Sequence, residues 1–351
     1  MVDINKVRVN SSVYLKQVLK VTTHDMHTGG EPLRIVTSGM PDILGSTILQ
    51  KREYVKRHLD HYRKFLMNEP RGHKDMYGAI LFQDRPLSNE FGVLFMHNEG
   101  YSSMCGHGVI ALGRYVVDYE LVIPKSPETP IIFNCPCGPV KTYVEYINNS
   151  SGPVHFESVP AFVYRLGAEV HVPTIGRLSV DIAFGGAFYV IISDRELSLD
   201  INSSPQSQMI DIGGKITEAV SEQIPILHPE SPEISFLYGT IITDGRDRFT
   251  DGPSTNICIF ADKQVDRSPT GSGVTARIAL QVKKGLMQMD EEKEFRSIIG
   301  SSFTARAISE TDVGKYPAVI VEVSGMAYHT GDHTFYLENQ DPIKDGFQLP
   351  R

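Results

Sequence analysis

Apolar positions recur along this chain in two ways, as short alternating runs and as two stretches where polar residues nearly vanish. The first stretch follows Met104-Cys105-Gly106-His107-Gly108 and carries Val109, Ile110, Leu112, Val116 and Val117. The second follows Ser268-Pro269-Thr270-Gly271-Ser272-Gly273 and carries Val274, Ile278, Leu280 and Val282. Apolar residues on every face predict buried helices. Two further helices are expected at about 45–68, with Leu49, Val55, Leu59 and Phe65 facing inward, and at about 206–223. Val21 to Val36 reads as a strand, a Gly29-Gly30 turn and a second strand. Short apolar runs predict more strands at 77–82, 93–96, 121–123, 131–133, 140–144, 154–156, 178–182, 188–192, about 234–242, 255–260, 319–323 and 334–337. Each half therefore runs strands, long helix, strands, glycine motif, buried helix.

The two glycine motifs align. With Cys105 over Thr270, Gly106 falls on Gly271, Gly108 on Gly273, Val109 on Val274 and Ala111 on Ala276. Ser102 and Ser103 stand where caps of the first helix are expected. Lys283-Lys284-Gly285 closes the second with cations in the last turn and glycine beyond. A repeated glycine loop and buried helix implies two related lobes, with two helix N-termini facing one cleft. Asn148-Asn149-Ser150-Ser151-Gly152-Pro153 is the candidate boundary or exposed hairpin tip. The expected division is 1–151 with 326–351 as one lobe and 152–325 as the other. Residues 1–20 read as a mixed-polarity arm.

The 351 residues carry a formal charge of −8, with no basic run, which argues against a general nucleic-acid or anionic-membrane surface. Four cysteines in a chain this long are no disulfide framework, so a reducing compartment is expected. Met1 to Val21 lacks the apolar core of a secretory signal, although its basic residues leave weak mitochondrial targeting open. No stretch reaches transmembrane length. The expected location is cytoplasmic.

Cys105 carries the chemistry. The free N–H groups at a helix start stabilise a thiolate or hold a carboxylate. A buried, inert cysteine is the plainer reading, and the glycine and histidine flanks weigh against it. His107, in the first turn, is either a structural histidine or a donor to a substrate carboxylate or hydroxyl. Cys135-Pro136-Cys137 lacks the spacing and second ligand pair of a zinc site, and Cys258 falls in an apolar run and reads as core. No metalloprotease motif, dinucleotide fingerprint or cofactor lysine stands out, so neither metal nor cofactor is expected. Asp266, just before the second motif, places a carboxylate at the rim of the cleft, where it would bind a cationic amine. The resulting pocket is zwitterionic and fits a small amino acid.

These residues resemble the proline racemase superfamily over most of the chain from about Val21. The resemblance rests on His27-Thr28-Gly29-Gly30-Glu31-Pro32-Leu33-Arg34, on Glu69-Pro70-Arg71-Gly72-His73 with Met76, on Met104-Cys105-Gly106-His107, and on Asp266-Arg267-Ser268-Pro269-Thr270-Gly271-Ser272-Gly273. It implies the α/β fold of the diaminopimelate epimerase-like group, in which two pseudo-symmetric lobes each wrap a curved, mostly antiparallel sheet around a central helix. Racemases of this family use two cysteines on opposite faces of the substrate Cα, without a cofactor. Cys105 holds the first position and Thr270 the second. An alcohol is far less acidic than a thiol, so two-base racemisation should fail here.

The Cys/Thr pair resembles that of the branch that removes water from trans-3-hydroxy-L-proline to give Δ1-pyrroline-2-carboxylate. On that resemblance Cys105 takes the Cα proton, and Gly106, His107, Gly271 and Ser272 bind the carboxylate. Asp266 binds the ring nitrogen, and Thr270 contacts the substrate or a water. The acid for the leaving hydroxyl stays open among the Cys105 thiol, His107 and water. The resemblance also implies a homodimer. Two alternatives are a racemase or hydroxyproline 2-epimerase that uses water near Thr270, and a non-catalytic amino-acid-binding protein.

Overall fold

The computed structural model describes residues 18–349, so the arm read at 1–20 lies outside it except for its last three residues. The helices are α1 (Ile48–Tyr54), α2 (Asp60–Met67), α3 (Gly106–Asp118), α4 (Gln206–Gln223) and α5 (Gly271–Lys283). A π-helical turn at Val55–Leu59 joins α1 to α2, so the helix expected at 45–68 is one interrupted rod.

The strands form two rings that share one long C-terminal stretch. In the first, Leu19–Thr28, Glu31–Ser38, Tyr77–Phe82, Glu90–His97, Glu128–Cys135, Gly138–Ile147 and Ser150–Glu157 pair in sequence order. Tyr316–Gly325 then pairs with Ser150–Glu157, and its continuation Ala327–Leu337 pairs with Leu19–Thr28. In the second ring, Ala161–Val172, Gly176–Phe184, Phe188–Ser193, Leu237–Thr243, Ser254–Phe260, Lys293–Ser297, Ser302–Val313 and Tyr316–Gly325 follow one another. Ala318 and Val319 return to Phe162 and Ala161.

All of these pairings are antiparallel except one early and one late step in each ring. A parallel step needs a crossover, and the crossovers are the helices. The pair α1–α2 and the helix α4 take the equivalent first steps, and α3 and α5 the second. The repeat read from the glycine motifs is thus a repeat of pairing pattern.

Burial follows from composition. Val109 and Ile110 in α3 and Val274 and Ile278 in α5 are fully buried, each contributing about 1.5–3 kcal/mol. Strands of the first ring surround α3, and strands of the second surround α5. The amphipathic α1–α2 rod lies on the outer side of the first ring, where Val55, Phe65 and Leu66 cover Ile80, Leu94 and Met96. No helix among the described residues is long and apolar enough to cross a membrane.

Three expectations need amendment. Leu121-Val122-Ile123 is not a strand. It closes α3: Glu120 takes a left-handed φ of 53°, and the Leu121 N–H donates to the Val116 carbonyl at 2.9 Å. Of the stretch 148–153, read as a boundary or a hairpin tip, Asn148 and Asn149 form the two-residue turn, both left-handed at 52° and 58°, and the next strand starts at Ser150. The strands Ala161–Val172 and Ser302–Val313 were not expected, because charged residues interrupt their apolar alternation.

Candidate active site

The helices α3 and α5 are each 13 residues long, and their N-termini meet. Their N-caps are Cys105 and Thr270, the two residues that the sequence alignment superposes. Behind the caps the backbones touch at Gly106 and Gly271: a Cβ on Gly106 would lie 2.5 Å from the Gly271 Cα. Only two glycines allow this approach. It aims the unpaired first N–H groups of both helices at one space.

The cap of α3 is the Cys105 sulfur, which accepts from the Gly108 N–H at 3.2 Å. Ser102 and Ser103, expected as caps, are engaged elsewhere. Ser102 bonds to the Tyr77 hydroxyl, and the Ser103 hydroxyl donates to the Gly186 carbonyl at 2.8 Å. Cys105 is buried, with His107 Nδ1 3.2 Å from its sulfur. Burial pushes the thiol well above its usual range, and the negative charges of Asp266 and Glu31 push the same way. The Gly108 N–H and the Tyr77 hydroxyl oppose this by favouring the thiolate. Without substrate the sulfur is therefore a neutral thiol, whereas the helix start alone suggests a thiolate. Burial also lowers His107 to about 4, so the imidazole is neutral at pH 7.

Thr270 sits at φ 68° and ψ 91°, outside the regions that β-branched residues favour. Its hydroxyl is buried, does not cap α5 and has no hydrogen-bond partner of normal length; its polar neighbour is the Cys258 thiol. Such strain at a cap is characteristic of functional sites. The turn before it is tied down by Asp266, whose Oδ1 accepts from the Ser268 N–H at 2.7 Å. Arg267 reaches back to the fully buried Glu31, donating from its backbone N at 2.8 Å and from Nε at 2.9 Å. Burial, reinforced by Asp266, nevertheless holds the Glu31 carboxyl well above the usual carboxylate range.

One small, nearly closed pocket collects every residue expected to bind or act on the substrate. Cys105, Gly106 and His107 line it from α3, Thr270, Gly271 and Ser272 from α5, and Asp266 from the turn before α5. Cys258, expected in the core, is fully buried and also forms part of the wall. The sequence reading missed the aromatic wall of Tyr77, Tyr189, Tyr238 and Phe260. These residues come from separate strands and read as ordinary strand apolars; the one available signal was a phenol at positions otherwise filled by Ile, Leu and Val. Among the described residues no group of three or more His, Cys, Asp or Glu side chains could hold a metal ion, and all four cysteines are free. The arrangement brings two helix N-termini and the Asp266 carboxylate to one space. A thiol stands on one helix and an alcohol on the other.

The chain belongs to the proline racemase family, whose model matches residues 23–348. It is 54% identical over 327 residues to the trans-L-3-hydroxyproline dehydratase of Xenopus tropicalis, covering 93% of this chain and 94% of that protein. It is likewise 54% identical over 331 residues to the trans-3-hydroxy-L-proline dehydratase of Homo sapiens, covering 93% of each. Among solved structures, a hydroxyproline epimerase from Agrobacterium vitis with bound trans-4-hydroxy-L-proline superposes with a TM-score of 0.86 at 26% identity, over 94% of this chain and 96% of that one.

Proposed function

We propose that this chain is a cofactor-independent hydro-lyase that converts trans-3-hydroxy-L-proline to Δ1-pyrroline-2-carboxylate and water. The observation that carries the reading is the cap pair: a thiol faces an alcohol across one cavity, where a two-base enzyme needs two thiols. The dehydratase relatives support it independently.

The roles follow from the geometry. The N–H groups of Gly106, His107, Gly271 and Ser272 hold the substrate carboxylate and stabilise the charge that spreads into it as the Cα proton leaves. Asp266 holds the ring ammonium, and that cation beside Cys105 offsets the burial that keeps the thiol neutral. The thiolate then takes the Cα proton. In the trans isomer the C3 hydroxyl lies on the face opposite the carboxylate, which is the face of the Cα proton. Elimination therefore proceeds on one face, and no base is needed on the side of Thr270. The enamine product tautomerises to the imine.

The same proposal includes a division of the chain into 1–151 with 326–351 and 152–325, with the substrate bound between the parts. It includes a homodimer, supported by the family resemblance, and a cytoplasmic location, supported by four free cysteines. Light scattering tests the dimer. The function is tested by NMR in deuterated buffer with trans-3-hydroxy-L-proline, trans-4-hydroxy-L-proline and L-proline offered separately. Pyrroline from the first alone is expected. Inversion at Cα of either other substrate would replace the dehydratase reading with a two-base one.

A further inference from the structure

Resting on the dehydratase reading, we propose that the Tyr77 hydroxyl is the acid for the departing C3 oxygen, relaying to it the proton that Cys105 removes from Cα. The residue touches the sulfur's surroundings on one side and a free hydroxyl on the other. Tyr77 is buried on the strand Tyr77–Phe82, and its hydroxyl is anchored by Ser102. Tyr77 and Cys105 line the same pocket, and the Tyr77 ring stands edge-on to His107 with centroids 4.9 Å apart, a position from which its hydroxyl favours the thiolate. It also faces the hydroxyl of Tyr238, which has no partner of normal length within the protein although Tyr238 is only 9% exposed. A buried phenol without a partner costs about 1–3 kcal/mol, and a substrate hydroxyl arriving there would relieve that cost. Tyr238 therefore marks where the C3 oxygen docks, in the same pocket wall as Tyr77 and the sulfur.

The other candidates are committed. His107 is lowered to about 4 and so is neutral, and its ring is engaged with the sulfur itself, Nδ1 at 3.2 Å and Nε2 at 3.6 Å. The Tyr189 hydroxyl is paired with Ser272 Oγ at 2.7 Å. Thr270 has an unpaired hydroxyl, but it stands at the start of the opposite helix. Tyr77 is left as the donor in the wall that also holds the thiol and Tyr238.

The step balances without any co-reactant. The Cys105 thiolate takes the Cα proton, and the C–H electron pair forms the Cα–C3 double bond. The C3–O bond breaks with its electrons on oxygen. Tyr77 gives that oxygen its proton and recovers one from the Cys105 S–H, so water leaves and the thiolate is restored. Burial holds the Tyr77 phenol well above its usual range, so it does not wait as a free tyrosinate. The two transfers are coupled, and the phenol is a bridge rather than a reservoir.

The test compares two leaving groups. Hydroxide needs a proton to depart and fluoride does not. Wild-type and Tyr77→Phe enzymes are offered trans-3-hydroxy-L-proline and trans-3-fluoro-L-proline in deuterated buffer. The variant is expected to lose about 10²–10⁴-fold in kcat on the hydroxy substrate. It should lose much less on fluoride elimination, where only its support of the thiolate is missing, and build deuterium at Cα of recovered hydroxy substrate, because proton removal continues while departure stalls. Ser102→Ala, which leaves the phenol present but unanchored, should show the same selectivity to a smaller degree. Equal losses on both substrates, or undiminished dehydration by Tyr77→Phe, would overturn the relay. The wild-type arm tests the dehydratase reading separately, by whether pyrroline forms at all.

Discussion

Gly106 and Gly271 meet backbone to backbone, a Cβ on Gly271 standing only 2.7 Å from the Gly106 Cα. The contact fixes the distance between the two caps, and with it the span across which Cys105 and Thr270 face each other. Gly106→Ala should therefore part the helix starts. We expect a loss of about 1–3 kcal/mol in stability from overpacking and a larger relative loss in activity, because misplacing a reacting group by 1 Å can cost about 10²-fold. Thermal melting beside kcat/KM checks this; full activity in a folded variant would show that the contact does not set the span.

Cys105→Ser keeps the shape of the cap, since a hydroxyl also accepts from the Gly108 N–H. The fold should persist within about 1 kcal/mol. Both dehydration and deuterium exchange at Cα should vanish, because an alcohol cannot act as the base near neutral pH. NMR of the product and of recovered substrate reads both.

Thr270 is strained, and its strain can be separated from its chemistry. Thr270→Gly relieves a left-handed φ of 68° and should leave the protein as stable or more so, by up to about 1 kcal/mol. Thr270→Cys restores a second thiol, and we expect slow inversion at Cα of L-proline, visible by polarimetry. A Thr270→Gly protein that melts well below the wild type would argue that the backbone at this cap is not strained.

The pH dependence has two sources, which act in different windows. Activity requires the Cys105 thiolate, whose formation burial opposes, so kcat/KM should rise toward alkaline pH. No limb from His107 should intervene near pH 6.5, because burial lowers it to about 4. Stability behaves differently. His97 and His107 are pushed down to about 3 and about 4 and are neutral when folded, so the unfolded chain binds more protons as pH falls below 6.5. Their contribution is present above pH 6.5 and is lost as pH drops through those values. The melting temperature should fall across that window, and His97→Asn should flatten the slope.

The legible parts of this molecule were those written as local pattern. Glycines opening an apolar helix at Cys105 and again at Thr270 announce both the repeat and the cavity, because a buried helix and a close backbone approach each demand a residue type. The helix at 206–223 and the turn at Gly29-Gly30 were legible for the same reason. Leu121-Val122-Ile123 misled because an apolar run reports burial, and here it tucks under the end of α3. The phenols of Tyr77, Tyr189 and Tyr238 could not be read as a group, since strands far apart in sequence bring them to one wall. That the Cys105 sulfur caps its own helix depends on a backbone angle no pattern announces.

The stretch Tyr316–Leu337 joins both rings, pairing with Ser150–Glu157 and then with Leu19–Thr28. The first of the described strands thus waits for the last of them. Until the C-terminus is released, Leu19–Thr28 has an open edge, and the sheet around α3 cannot close. Contacts of such sequence separation slow folding and prolong the exposure of unpaired strands. The nascent chain is consequently most prone to aggregation before synthesis ends. A stop codon a few dozen residues early would spare Cys105 and Thr270 yet leave the N-terminal half unable to fold.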